Sequence, residues 1–479
     1  MPARRGSRGR GAAARGGGGR PAGGRGCARA ASVSHFDLHF AKLFSSRWAP
    51  LRAALLAPVE HVGWINPFVE RCGAIAAFET SLARWEQIVH SSGCSFFVRD
   101  PSAPSSATDP TTPLAQCTEA LRASELSVPT AGEGQPPVPT SHFHDESDPP
   151  TPSLVQEVPS ATCAMPTSVP LSSSDGGRAL QSHYALDGAS PLPALALAPR
   201  RGHRVLDLCA APGGKSLCLA AQLFYERSDR DHDGGGRDGS DCNSILISND
   251  RSGPRRARLR RVLEEYLPSD LLCEPSELPA HNTGAMLATV TGIDAAQWGR
   301  GPAAPAWSAA GSLDRILVDA PCSSERHFLH GSADATWSRA RLKRDAALQG
   351  AIMRNASRLL AVGGRLVYST CSLADEENDA VVAKLLAHKR HGAGLVAVDA
   401  LDGLREDSLK PLLQGVSRTR LGAIMLPDSS RFGPLYWAVI ERRGAAVADA
   451  AASSDEDCNS DAAEDEGLEA GLGEDADDY

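Results

Sequence analysis

Aromatic residues make up only 5 % of this 479-residue chain. So few large rings, beside 45 Gly and 33 Pro, exclude a chain packed along its whole length. They predict one globular unit carrying long disordered segments, with apolar content ample for one sizeable core. The 12 Cys form no C-x-x-C pair and no Cys/His cluster at metal-ligand spacing, so no metal is expected. Scattered through strand- and helix-type segments, they argue against a disulfide framework and for a reducing compartment. No apolar run approaches the ~20 residues that span a bilayer, so a soluble protein without a membrane partner is expected.

Each end of the chain lacks charge of one sign. The first 36 residues carry eight Arg and no acid, while Gly444 to Tyr479 carry 13 Asp or Glu and no Lys or Arg. The net charge of −9 therefore leaves residues 1–443 at +4, and the stretch between the two ends near −4. Bulk charge gives no argument for nucleic acid, and any basic face must be local. Residues 1–34, rich in Arg and Gly, fit an organelle transit segment, although Arg8-Gly9-Arg10-Gly11 also reads as a disordered RNA-contacting tail. Residues 444–479 read as an acidic, solvating, disordered tail.

Between the ends, residues 35–92 hold periodic apolar positions with Trp48, Trp64 and Trp85 interspersed, and predict a helical N-terminal extension of two or three short helices. Residues 93–180 are Pro/Ser/Thr-rich and predict a disordered linker. From 181 to 443 strands and helices alternate, the signature of an α/β domain with a parallel sheet. Strands are expected at Arg204–Leu208, Ile245–Asn249, Met286–Thr291, Arg315–Asp319, Arg365–Ser369 and Leu435–Ile440. Helices are expected at Gly214–Phe224, Arg255–Tyr266, Ser338–Leu360 and Asp375–Lys389. Residues 226–243 interrupt the rhythm as a polar, Gly-rich loop.

The run Cys209-Ala210-Ala211-Pro212-Gly213-Gly214-Lys215 follows a strand ending in Asp207 and opens a helix. Gly213 and Gly214 let backbone approach a ligand, and the helix start favours an anionic group such as a carboxylate. A Gly pair alone is a weak signal. Acids at successive strand ends strengthen it: Asp250 suits ribose hydroxyls, Asp294 suits an adenine amino group, and Asp319 closes the fourth strand. Asp250 lies 43 residues after Asp207, and removing the 18-residue loop 226–243 leaves 25, near the usual interval.

Two thiols stand just past two apolar strands, Cys322 in Asp319-Ala320-Pro321-Cys322 and Cys371 in Ser369-Thr370-Cys371-Ser372. A nucleotide-type loop followed by such a pair is the plan of an enzyme that adds to a pyrimidine ring. On chemical grounds either thiol can be the nucleophile. A lowered thiol pKa needs a positive partner, Lys215 first and Arg326 next. Arg251 and the run Arg255 to Arg261 form a basic helix able to meet phosphate. Cys218, His327 and His330 are left outside the site.

These three motifs, in this order, resemble those of the Sun/Fmu-type RNA (cytosine-5) methyltransferases, over roughly residues 181–443. Asp187-Gly188-Ala189-Ser190-Pro191, Asn249-Asp250-Arg251-Ser252-Gly253, Cys322-Ser323-Ser324-Glu325-Arg326-His327 and Phe432-Gly433-Pro434-Leu435-Tyr436-Trp437 resemble the mitochondrial ribosomal-RNA branch. The resemblance implies a Rossmann-like class I fold with a seven-stranded sheet and S-adenosyl-L-methionine as cofactor. It implies a cofactor site of Cys209, Ala210, Ala211, Pro212, Gly213, Gly214, Lys215, Asp250, Arg255, Asp294 and Asp319. It further implies that Cys371 attacks the base, that Cys322 assists release, and that Asp319 and Lys215 serve the catalysis. RNA is the implied partner, ribosomal RNA first, with a helical-repeat protein as a possible second. The mitochondrion is the expected location, with chloroplast or nucleus as alternatives. A catalytically silent ribosome-assembly factor and an enzyme acting on transfer RNA are the competing readings.

Overall fold

A computed structural model describes residues 35–69, 85–90, 94–99, 170–171, 178–225, 243–279, 283–298, 308–331 and 337–444. The transit-type segment, most of the linker and of the 226–243 loop, and the acidic tail after Gly444 lie outside these residues. The N-terminal extension begins as expected, with a helix over 35–44 and a second at Trp48–Leu56. From His61 it departs from the helical expectation. Strands β1 (His61–Ile65), β2 (Trp85–Val89) and β3 (Ser95–Arg99) join a later strand, β6 (His183–Asp187), in an antiparallel sheet of order β2-β3-β1-β6. Strand β3 also falls inside the span read as linker. The reason is local: Ser95-Phe96-Phe97-Val98 is a buried, aromatic and β-branched run, which fits a pleated surface. A two-residue pair, β4 (Pro170–Leu171) with β5 (Leu180–Gln181), leads into β6.

The main sheet uses β7 (Arg204–Asp207), β8 (Ser244–Asn249), β9 (Met286–Thr291), β10 (Leu313–Asp319), β11 (Leu360–Thr370), β12 (Leu395–Val398), β13 (Val416–Arg418), β14 (Ala423–Met425) and β15 (Leu435–Arg442). Its order is β9-β8-β7-β10-β11-β15, and β9 through β11 run parallel while β15 is antiparallel to β11. Strand β12 pairs with the second half of β15, which completes the seven expected strands in the Rossmann-like class I order. The β13–β14 hairpin pairs with the first half of β15 and brings the sheet to nine. All six residues of β8 are buried, the mark of a strand covered on both faces.

The chain crosses from β7 to β8 and from β7's other neighbour, β10, on opposite sides of one crevice, so ligand-binding loops gather at their carboxyl ends. The helix Gly214–Phe224 lies between the two sheets, with every residue buried except Lys215. A Cβ at Gly214 would sit 2.3 Å from Leu186 Cδ2 of β6, so only glycine permits this approach. Asn66 Nδ2 and Tyr266 Oη tie the N-terminal sheet to the helix Gly253–Tyr266, through bonds of 2.8–2.9 Å to Gln181 O, Tyr266 O and His183 O.

A second anchor joins the N-terminal helices to the loop after Cys322. Phe36, Phe40, Trp48, Leu51 and Leu55 form one buried cluster with Phe328, Trp337, Leu342 and Leu373. Arg326 Nη2 donates to Ala54 O at 3.3 Å, and His330 Nε2 meets Leu55 O at 3.0 Å. His330 is thus spent on fixing the extension.

Candidate active site

Strand β7 delivers its chain into a turn pinned by its neighbours: Leu208 N donates to Leu317 O and Ala210 N to Asn249 O. Gly213 closes the turn at φ +120°, and a Cβ there would lie 3.0 Å from Val262 Cγ1. An L side chain at this φ is strained whatever the space around it. Gly213→Ala is expected to lower stability by about 1–3 kcal/mol in urea denaturation. An unchanged midpoint would remove the strain assignment.

Beyond the turn, Lys215 Nζ lies 2.8 Å from Asp319 Oδ2 and donates to Ser190 Oγ at 2.9 Å. Burial works against the ammonium, but the charge and hydrogen bond of Asp319 together with the charge of Asp207 outweigh it and hold Lys215 above the ordinary lysine range. Ser369 Oγ donates to Asp319 Oδ1 at 2.8 Å, so the acid bridges β10, β11 and the helix start. Asp207 is wholly buried. Ser216 Oγ donates to its Oδ2 at 2.7 Å, Oδ1 has no partner, and burial pushes the carboxyl up to about 7.

The other residues expected on the cofactor side fall along the same edge. Asp250 is buried, its Oδ1 accepting from Ser252 N at 2.9 Å. Arg255 Nη2 stands 3.3 Å from Asp250 Oδ2 and donates to Ala211 O at 2.8 Å, joining the helix Gly253–Tyr266 to the turn. Asp294 accepts from Ala296 N at 3.0 Å and pairs with exposed Arg251 at 3.1 Å, so part of its accepting capacity is used locally. Ala210 and Ala211 are buried, Pro212 is exposed, and burial holds the Cys209 thiol far above the usual range, which makes it inert.

The two thiols meet. Asp319 pairs in register with Ser369, so the chains leaving β10 and β11 emerge side by side. Cys322 Sγ lies 3.0 Å from Cys371 Sγ, and Ser324 Oγ is 3.4 Å from Cys371 Sγ. Ser324 adopts φ +55° at the start of the helix Glu325–Leu329. Cys322 shares a proton-bridged contact with Cys371 and is half-buried, and the contact and the partial desolvation raise its pKa well above normal. Lys215 and Arg326 both feel the charge of Cys371. Arg326 Nη1 stands 3.9 Å from Asp187 Oδ2, whose Oδ1 accepts from Ala189 N and Gly433 N.

Behind the thiols sits a group that sequence reading missed. Glu325 and Glu377 are buried on either side of Ser323. In the sequence Glu377 only opens an expected helix, and Glu325 only follows a motif cysteine. The one available signal was a carboxylate a few residues after each cysteine.

Residues 285–421 match the family model described as 16S rRNA methyltransferase RsmB/F. A frog (Xenopus laevis) protein, 5-cytosine rRNA methyltransferase NSUN4, is 34 % identical over 55 % of this chain and 57 % of its own length. The mouse NSUN4 protein is 28 % identical over 87 % of this chain and 89 % of its own. A mouse mitochondrial tRNA (cytosine(34)-C(5))-methyltransferase is 31 % identical over 55 % and 64 %. The chain thus spans little more than half the length of the frog relatives it matches, 57 % in each. The matched family model covers the Asp319-to-Cys322 and Ser369-to-Cys371 motifs with the strands that carry them, so the chain's likeness to the RsmB/F methyltransferases takes in the residues that form this site.

Proposed function

We propose that this chain is an S-adenosyl-L-methionine-dependent RNA (cytosine-5) methyltransferase that forms 5-methylcytosine in ribosomal RNA of the mitochondrion. The observation that carries the reading is the thiol pair, 3.0 Å apart, on the sheet edge that also holds the Gly213 turn and the Lys215–Asp319 pair. The donor set suits the cofactor: a helix start at Gly214 for its carboxylate, Asp250 for its ribose, Asp294 for its adenine, and the unpartnered buried Oδ1 of Asp207 for an amino group. When bound, the cofactor supplies an electrophilic methyl group.

The chain's own residues supply the rest. Carbon 5 of cytosine is a poor nucleophile until a thiolate adds to carbon 6 and turns it into an enamine carbon. Cys371 is assigned that addition, and Lys215 and Arg326 are the cations within electrostatic reach of its sulfur. Asp319, held by Lys215 and Ser369, meets the ring or its amino group and stabilises the charge that develops. Cys322, 3.0 Å from the Cys371 sulfur, suits the release step: its proton passes to the Cys371 sulfur as the carbon 6–sulfur bond breaks, and its own strongly basic sulfur takes the proton that leaves carbon 5. The target base must leave its stack to reach this edge. The Arg255–Arg261 run offers a local phosphate contact, and a helical-repeat protein partner would add the RNA affinity that a net +4 over residues 1–443 does not supply.

The test uses the full chain with mitochondrial RNA and methyl-labelled cofactor. Label in 5-methylcytosine of the ribosomal fraction is the expected outcome. Label confined to transfer RNA would change the substrate, and no transfer to any RNA pool would replace the enzyme by an assembly factor.

A further inference from the structure

The chemistry assigned above makes no use of the two carboxyl groups buried behind the thiols. Among the described residues neither Glu325 nor Glu377 meets a lysine or arginine. Each reaches across from one thiol's loop to the other's. Glu325, three residues after Cys322, accepts from Leu373 N at 3.0 Å, two residues after Cys371. Glu377, six residues after Cys371, accepts from Ser323 N at 3.1 Å, immediately after Cys322. The two loops are therefore cross-linked reciprocally.

Both carboxyls also touch one hydroxyl, Ser323 Oγ, which lies 2.5 Å from Glu377 Oε2 and in an equally close contact with Glu325 Oε1. A serine hydroxyl has a single proton to donate. Two such contacts need a second proton, and it must sit on one of the carboxyls. The remaining partners say which. Glu377 Oε1 accepts from Ser323 N and from Gln349 Nε2 at 3.2 Å, and Oε2 lies 3.3 Å from Ser323 N, so both oxygens face donors. Glu325 Oε2 accepts from Leu373 N, but Oε1 faces only the hydroxyls of Ser323 and, at 3.4 Å, of Ser372, which can accept as well as donate. Glu377 is the ionised partner, and Glu325 carries the proton.

We propose that Glu325, Ser323 and Glu377 act as positioning residues that set the gap between Cys322 and Cys371, with Glu325 protonated, donating to Ser323, which donates to ionised Glu377. The proposal rests on the reading of both thiols as reacting groups. The titratable groups that face the pair are Cys322, Tyr368 of β11 and Asp345 of the helix Arg339–Leu359, each neutral or negative. Burial pushes Glu325 up to about 7. As pH rises through that value Glu325 loses its proton, two like charges then face each other across Ser323, and the loops are driven apart.

The gap can be read without methyl transfer. Phenylarsine oxide loses one water as it bridges two neighbouring thiols, and the capture lost in Cys322→Ala isolates this pair from the other cysteines. The full chain carries the test, without RNA or cofactor. Glu325→Gln replaces an O–H donor by an N–H donor, and capture near pH 6 is expected within about twofold of the natural chain. Glu377→Gln turns an amide N–H onto donors and is expected to weaken capture about tenfold or more at every pH. Should that variant fold poorly, Ser323→Ala removes the shared hydroxyl and is expected to weaken capture likewise.

The pH profile separates positioning from bulk packing. Relative to Glu325→Gln, the natural chain should lose capture between about pH 6 and 8.5, where only it has a proton to lose. A constant ratio over that range would overturn the assignment, as would equal losses in the two glutamine variants. Because no RNA is present, these outcomes stand whether or not the chain methylates cytosine.

Discussion

Cys371→Ala should abolish methyl transfer, lowering the single-turnover rate by at least about a thousandfold. Without a thiolate adding to carbon 6, carbon 5 has no enamine electrons to offer the methyl group, and among the described thiols Cys322 is the one rival at this edge. Cys209 is locked in its protonated form by burial, and Cys218 is buried in a helix interior. The variant should remain folded. Among the described residues Cys371 Sγ hydrogen-bonds to Cys322 Sγ and Ser324 Oγ, and neither cysteine belongs to a core cluster. Circular dichroism and thermal denaturation on the same preparation therefore accompany the assay. A folded variant with activity within about tenfold of the natural chain would move the nucleophile to Cys322.

Cys322→Ala should give the opposite phenotype: methyl transfer once, followed by a protein–RNA complex that survives a denaturing gel. Release requires the carbon-5 proton to leave and the Cys371 thiolate to be expelled. Cys322 stands 3.0 Å from the sulfur that must depart, so it can hand that sulfur its proton and take the carbon-5 proton in exchange, while its raised pKa suits it poorly to attack. The retarded band should carry label from the cofactor and should vanish in the double variant with Cys371→Ala. Normal turnover by Cys322→Ala, with trapping by Cys371→Ala, would reverse the two roles.

How far these assignments could be read before any fold was seen differs from residue to residue. The six strand positions were legible because each is a short apolar run ending in a polar or acidic residue, and the helix Gly214–Phe224 because glycine and a basic residue open it. Cys322 and Cys371 were legible as a pair, but not their contact, since a 3.0 Å approach depends on the register of β10 against β11. Three features lay beyond local pattern. The strands β1 to β3 alternate weakly, and their identity is fixed by pairing with one another and, through β1, with β6, more than 100 residues further on. Strand β12, four residues long, has no signal apart from its place beside β15. Glu325 and Glu377 look like surface acids until the chain folds them inward against Ser323, 54 residues from Glu377 in sequence.

The clasp between the N-terminal helices and the loop after Cys322 bears on how the protein is made. Arg326 and His330 hold the carbonyls of Ala54 and Leu55 across 272 and 275 residues. Contacts so distant in sequence close late in folding. Phe36, Phe40 and Trp48 leave the ribosome well before Phe328 and Trp337 exist to cover them. A half-synthesised chain therefore displays bare aromatic surface, the feature that chaperones grip. The reacting loops gain their support only after the first helices have been recaptured by residues made much later. A chain cut short before β11 has no second thiol, and one that loses its first helices has both thiols on an unbraced loop, so truncation from either end costs the same site.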